Sequence, residues 1–112
     1  MLIALMPMAL VSHVLVAATG LPSIDIQKNC RESSAAVYGN AAADVVSACV
    51  EDEKAAAATL TKDWSTLPAA DKARCVHTTT FLPSYVEWLT CIEQEGALRR
   101  IHKDNSTRSP GG

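Results

Sequence analysis

Apolar positions recur at helical rather than strand spacing through the chain, most regularly between Asn40 and Trp64. From Val46, the residues Cys49, Val50, Glu53, Ala57, Leu60 and Trp64 fall near one line at about 100° per residue. This predicts an amphipathic helix from Asn40 to Trp64, with one cysteine and one glutamate inside its apolar stripe. Asn40 is placed to cap it, because its side-chain oxygen can accept from a free first-turn amide. Alanines at 48, 55, 56, 57 and 58 favour helix and let neighbours approach closely.

Weaker segments flank this helix. Ser23 offers a cap for a helix from Ile24 to about Val37, with Ile26, Cys30 and Val37 sharing a face around Ser33. Gly39 tolerates the left-handed backbone that closes it. After Trp64, the Ser65-Thr66-Leu67-Pro68 run starts a third helix, Pro68 to Thr78, with Ala69, Ala73 and Val76 as a thin stripe. Thr78-Thr79-Thr80-Phe81 lowers helix propensity and marks a loop. Ser84-Tyr85-Val86-Glu87 reads as a capping box, and Pro83 blocks extension backwards. The fourth helix then presents Tyr85, Trp88, Leu89 and Ile92 on one side, and Gly96 is a natural stop. No strand pattern competes. The expected fold is all-α: a small four-helix domain of two disulfide-linked helical hairpins behind an N-terminal apolar leader.

Composition adds the compartment. The first 18 of the 112 residues, MLIALMPMALVSHVLVAA, hold no Asp, Glu, Lys or Arg. An apolar run ending in Val16-Ala17-Ala18 fits an export signal with a small-x-small cleavage site. An uncleaved membrane anchor is the rival, at the short end for a span and disturbed by Pro7. Residues 19–98 form the expected domain. Residues 99–112 are expected to be a basic, disordered tail. The net charge of −2 divides into −5 over 19–98 and +3 over the tail. An acidic body argues against a nucleic-acid binder. The basic tail is a solvated segment before it is a lipid-touching one, and the membrane is reached only through the N-terminal segment if it stays uncleaved.

Cys30, Cys49, Cys75 and Cys91 make an even set, which in a small exported chain implies disulfides. Cross-links compensate for a core too small to offset chain entropy alone. Among three possible pairings, helix geometry selects one. Cys30 and Cys49 lie equally far from the turn near residues 38–41. Cys75 and Cys91 are mismatched by about 4.5 Å across the turn near 79–84, which a loose loop absorbs. Cys49 with Cys75 would be mismatched by about 12 Å, so the nested alternative, Cys30–Cys91 with Cys49–Cys75, needs a steep helix crossing. The expected bonds are Cys30–Cys49 and Cys75–Cys91. Cys30 and Cys49 lie within their apolar stripes; Cys75 and Cys91 lie more than about 90° off theirs.

Candidate chemistry is sparse. Structural zinc takes ligands in close pairs, and these cysteines have no local partner. No C-x-x-C motif occurs. His77 follows Cys75 by two residues, a spacing that does not face on a helix. His13 and His102 complete a scattered set with no ligand pattern. Glu53 is expected to reach the rim of the helix contact or to pair with Lys54, Arg74 or Lys28. Trp64, Tyr85 and Trp88 are the candidate partner surface, although core and lid is the commoner fate of such aromatics, Phe81 included. No cofactor, metal or catalytic residue is expected, and Asn105-Ser106-Thr107 is a sequon.

Four stretches carry a resemblance: Gln27-Lys28-Asn29-Cys30, Cys49-Val50-Glu51-Asp52-Glu53-Lys54-Ala55, Ala73-Arg74-Cys75, and Pro83-Ser84-Tyr85-Val86-Glu87-Trp88-Leu89-Thr90-Cys91-Ile92-Glu93. Together they resemble small exported four-cysteine helical proteins of alphaproteobacteria, a group with no assigned activity. The resemblance implies periplasmic or secreted localisation and adds no catalytic residue. The leading expectation is a binding or accessory module for another envelope protein. Its rivals are a structural or stress-related envelope protein without a ligand, and a small hydrolase or metal-dependent enzyme using Glu53 and His77.

Overall fold

The computed structural model of the chain describes residues 20–107, so the expected leader over 1–18 and the last part of the tail lie outside the described residues. Four helices follow in order: α1 Ile26–Tyr38, α2 Ala43–Asp63, α3 Ala69–Cys75 and α4 Tyr85–Thr107, with a 3₁₀ turn Trp64–Thr66 after α2. No strand occurs among the described residues. None of these helices is long and apolar enough to cross a membrane.

The hairpin pairing is as expected. Cys30 bonds Cys49 between α1 and α2, and Cys75 bonds Cys91 between α3 and α4, with Cα separations of 5.7 and 5.5 Å. The two disulfides point to an oxidising, extracytoplasmic environment. α2 packs on α4 to join the two hairpins. The core between them is Ala56 and Leu60 from α2, Cys75 from α3, and Tyr85, Trp88 and Ile92 from α4. Tyr85 and Trp88 meet edge to face at 5.4 Å, the arrangement that ring quadrupoles favour. The Tyr85 hydroxyl accepts from the Ile24 N–H and donates to the Pro22 carbonyl, each at 3.0 Å. That pair of bonds straps the segment before α1 across the core, where Leu21 and Ile24 pack.

Several local expectations are corrected. Asp25, not Ser23, caps α1 by accepting from the Lys28 N–H at 3.1 Å. Gly39 closes α1 with φ 78°, as expected. Val37, assigned to the inner face, is 69% exposed, and Ser34 is buried in its place. Asn40 does not cap α2. Its side chain accepts from the Ala42 N–H at 3.1 Å, two residues on, while its carbonyl accepts from the Ser34 hydroxyl. Such a local bond shapes a turn and delays the helix, so α2 begins at Ala43.

α3 is shorter than expected and rotated. Ala69 and Ala73 are exposed, while Asp71 and Cys75 are buried. The tie to Cys91 turns Cys75 inward, and one helical turn earlier Asp71 points the same way. Asp71 Oδ1 accepts from Arg99 Nη1 at 2.7 Å, and Arg74 pairs with Glu95 at 2.7 Å. Asp71 Oδ2 is buried without a hydrogen-bond partner. These pairs bracket Gly96, and α4 runs through that glycine to Thr107. Residues 99–107 are therefore helix, where a disordered tail is expected from the sequence.

Candidate binding face

Glu53 lies mid-way along α2 and is only 7% exposed. Lys54, Arg74 and Lys28 do not pair with it. Its carboxylate accepts instead from the Ser84 hydroxyl, from the Tyr85 N–H at 2.8 Å and from the Val86 N–H at 3.3 Å. Those amides open α4 and have no intrahelical acceptor. Glu53 is thus an N-cap delivered by a neighbouring helix. The positive end of the α4 dipole and three donors hold its charge in a buried place. Half of the expected capping box is formed: Ser84 Oγ accepts from the Glu87 N–H at 3.2 Å. The Glu87 side chain does not return the bond and stays exposed.

This cap fixes one end of the loop from Val76 to Ser84. Asn29 Nδ2 donates to the Pro83 carbonyl at 2.9 Å and ties the loop to α1. Within it, Thr80 Oγ1 donates to the His77 carbonyl at 3.3 Å. Leu82 adopts φ 56°, the left-handed region, which costs a non-glycine residue on the order of 1 kcal/mol. The reversal carries Phe81 outward, 86% exposed. Strain, two anchors at its Pro83–Ser84 end and a presented aromatic ring make this loop a distinctive surface feature of the described residues.

Between the loop and the hairpin of α1 and α2 is a cavity of about 290 Å³. Asn29, Ser33, Glu53, Ser84 and Glu87 supply its polar lining; the Cys30–Cys49 bond, Phe81, Leu82 and Pro83 supply the rest. A second hollow of about 310 Å³ shares Cys30, Ser33 and Cys49 and continues to Val37, Tyr38 and Val45. Val37, Tyr38 and Phe81 are 69, 66 and 86% exposed. One face, centred on the first disulfide, therefore gathers three of the large exposed apolar side chains. A larger open hollow near Arg31, Glu51 and Lys54 mixes both charge signs and lacks an aromatic side chain.

The sequence-derived surface is not assembled. Tyr85 and Trp88 are 7% and 3% exposed and belong to the core. Trp64 is half-buried under Lys72, whose Nζ lies 4.9 Å from the ring centroid and donates to the Trp64 carbonyl at 3.2 Å. Glu53 and His77 share no cavity: Glu53 lines the hollow described above, and exposed His77 does not. All four cysteines are in disulfides. Among the described residues no group of three or more His, Cys, Asp or Glu is placed to hold a metal ion. The residue missed from the sequence is Phe81; the Thr-rich run before it and Pro83 after it signalled a loop, but not an outward ring.

Comparison with protein-family models, with curated proteins and with solved structures returned no match.

Proposed function

We propose that this protein is a disulfide-braced helical binding module, exported to the periplasm or beyond, which engages another envelope protein through the face around Cys30–Cys49. The observation that carries this reading is Phe81. A large aromatic side chain held 86% exposed by a strained, doubly anchored loop is an expensive arrangement for a small domain with few aromatics to fill its core. Aromatic anchors beside a preformed hollow are the usual centre of a protein interface. Val37 and Tyr38 extend the apolar area, and the disulfide between them and Phe81 keeps α1 and α2 in fixed register. The export-signal pattern of residues 1–18 and the likeness to exported four-cysteine proteins support the same compartment. No catalytic residue enters the proposal.

The test is affinity capture from an envelope extract with the oxidised protein in four forms: wild type, Phe81→Asp, Val37→Asp and, as a control remote from the face, Lys62→Gln. The expected result is one stoichiometric partner held by wild type and control and lost with both face variants. Equal recovery by all four would overturn the assignment of this face.

A further inference from the structure

We infer that the cavity beneath Phe81 receives an arginine side chain, carried on a partner segment whose apolar neighbours lie on Phe81 and Tyr38. This rests on the binding-module reading above and assigns its chemistry. The lining holds two carboxylates, Glu53 and Glu87, and no Lys, Arg or His. Arg31 is turned roughly 160° around α1 from Ser33, and with Lys54 it lines a different hollow.

Most of the donors around the cavity are already engaged. The Ser84 hydroxyl and the Tyr85 and Val86 amides go to Glu53, and Asn29 Nδ2 goes to the Pro83 carbonyl. What the walls still offer is chiefly acceptors: the Asn29 side-chain oxygen, the Ser33 hydroxyl, which can also donate, and the exposed Glu87 carboxylate, which has no salt-bridge partner among the described residues. An acceptor-rich, negatively charged hollow selects a ligand that is all donor and positive. Phe81 at the mouth adds a π face, to which a cation is drawn. A guanidinium meets both requirements, with five donors in a flat fork that stacks on rings. At about 290 Å³ the cavity is at the bottom of the range for small-ligand sites. It therefore fits one long side chain, while exposed Phe81 in its lining and Val37 and Tyr38 of the adjoining hollow fit the residues on either side.

The experiment is an amide-shift titration of the oxidised protein by NMR with three blocked tripeptides, Leu-Arg-Leu, Leu-Gln-Leu and Leu-Glu-Leu. Leu-Arg-Leu is expected to shift the amides of Ser33, Phe81, Leu82 and Glu87 saturably. Leu-Gln-Leu is expected to bind at least about tenfold more weakly, and Leu-Glu-Leu not at all, as charge complementarity requires. Glu87→Gln, an exposed change that leaves the fold intact, is expected to reduce the preference for Arg over Gln by about fivefold, and 0.5 M salt to do the same. Equal binding of the three peptides, shifts that map elsewhere, or an Arg preference untouched by Glu87→Gln would each overturn the inference. Loss of a captured partner with Phe81→Asp but not with Glu87→Gln would overturn the arginine assignment and leave the binding face standing. Retention of the partner by Phe81→Asp would overturn the face itself.

Discussion

Glu53 is the residue on which the contact between the two hairpins turns. It is the only charged side chain in the apolar stripe of α2, and its three donors all come from the first turn of α4. Glu53→Gln keeps one acceptor oxygen but puts an NH2 where the other stood, facing those donors, so part of the cap is lost at a largely buried position. Hydrogen bonds to an ionised group are worth about 1.5–3 kcal/mol each in net terms, so Glu53→Gln is expected to destabilise the domain by about 2 kcal/mol, read from urea unfolding at neutral pH. Ser84→Ala removes one donor and half a capping box, and is expected to cost about 1 kcal/mol. Phe81→Ala is expected to change stability by less than about 0.5 kcal/mol, as an exposed side chain does, while abolishing partner capture. A change of 2 kcal/mol or more at Phe81 would mean that the ring packs in solution. Gly96 gives the opposite sign. A Cβ there meets only the flexible ends of Arg100 and Arg99, at 3.5 and 3.8 Å. Gly96→Ala is therefore expected to stabilise α4 by about 0.5–1 kcal/mol, seen as a raised midpoint in the same urea series.

At the level of elements, what was legible in the chain was whatever depends on spacing alone. The stripe of Tyr85, Trp88 and Ile92, the αL close of α1 at Gly39 and both disulfides follow from counting residues along helices. What was not legible depends on a partner distant in sequence. Nothing local says that Glu53 meets residues 84–86, or that Asp71 is drawn inward by Arg99. Gly96 is a stop signal only when nothing beyond it is held, and here Arg99–Asp71 and Arg74–Glu95 hold α4 to α3 on both sides of it. The expected stripe of α3 failed for the same reason, since Cys91 and Arg99 decide which way that short helix faces. This pinning has a pH signature. The bond from Arg99 holds the Asp71 carboxyl below the ordinary carboxylate value; desolvation opposes the shift, and the charges of Arg99 and Arg74 add to it. A depressed folded-state pKa contributes stability above the unfolded value, and that contribution is lost as pH falls through the folded one. The thermal midpoints of wild type and Asp71→Asn are therefore expected to differ at pH 7 and to converge as pH falls through and below the ordinary carboxylate range. A gap that does not narrow at all on acidification would exclude the ion pair as its origin.

For the whole molecule the two disulfides divide the labour. The bonds close chain loops of similar length, with sequence separations of 19 and 16, each worth about 3 kcal/mol on the loop-entropy account. A domain with a net stability of about 5–15 kcal/mol tolerates the loss of one and is brought to its limit by the loss of both. Their surroundings differ more than their loops do. Cys75 is a member of the central cluster with Leu60, Trp88 and Ile92, and Cys91 packs against it. Cys30–Cys49 lies outside that cluster; Cys30 itself is buried, but half-buried Cys49 borders two hollows, and a thiolate attacks the sulfur it can reach. Under limiting dithiol at neutral pH, mass mapping of alkylated peptides is expected to find Cys30 and Cys49 labelled first. At that stage Trp88 stays buried and its fluorescence native, because the core retains Cys75–Cys91, whereas binding through the Phe81 face is lost because the floor of that face has opened. Further reduction is expected to unmask Cys75 and Cys91 together with the tryptophan signal, in one cooperative step. Labelling in the reverse order, or loss of the Trp88 signal with the first bond, would place the weak point in the core and not beneath the binding face.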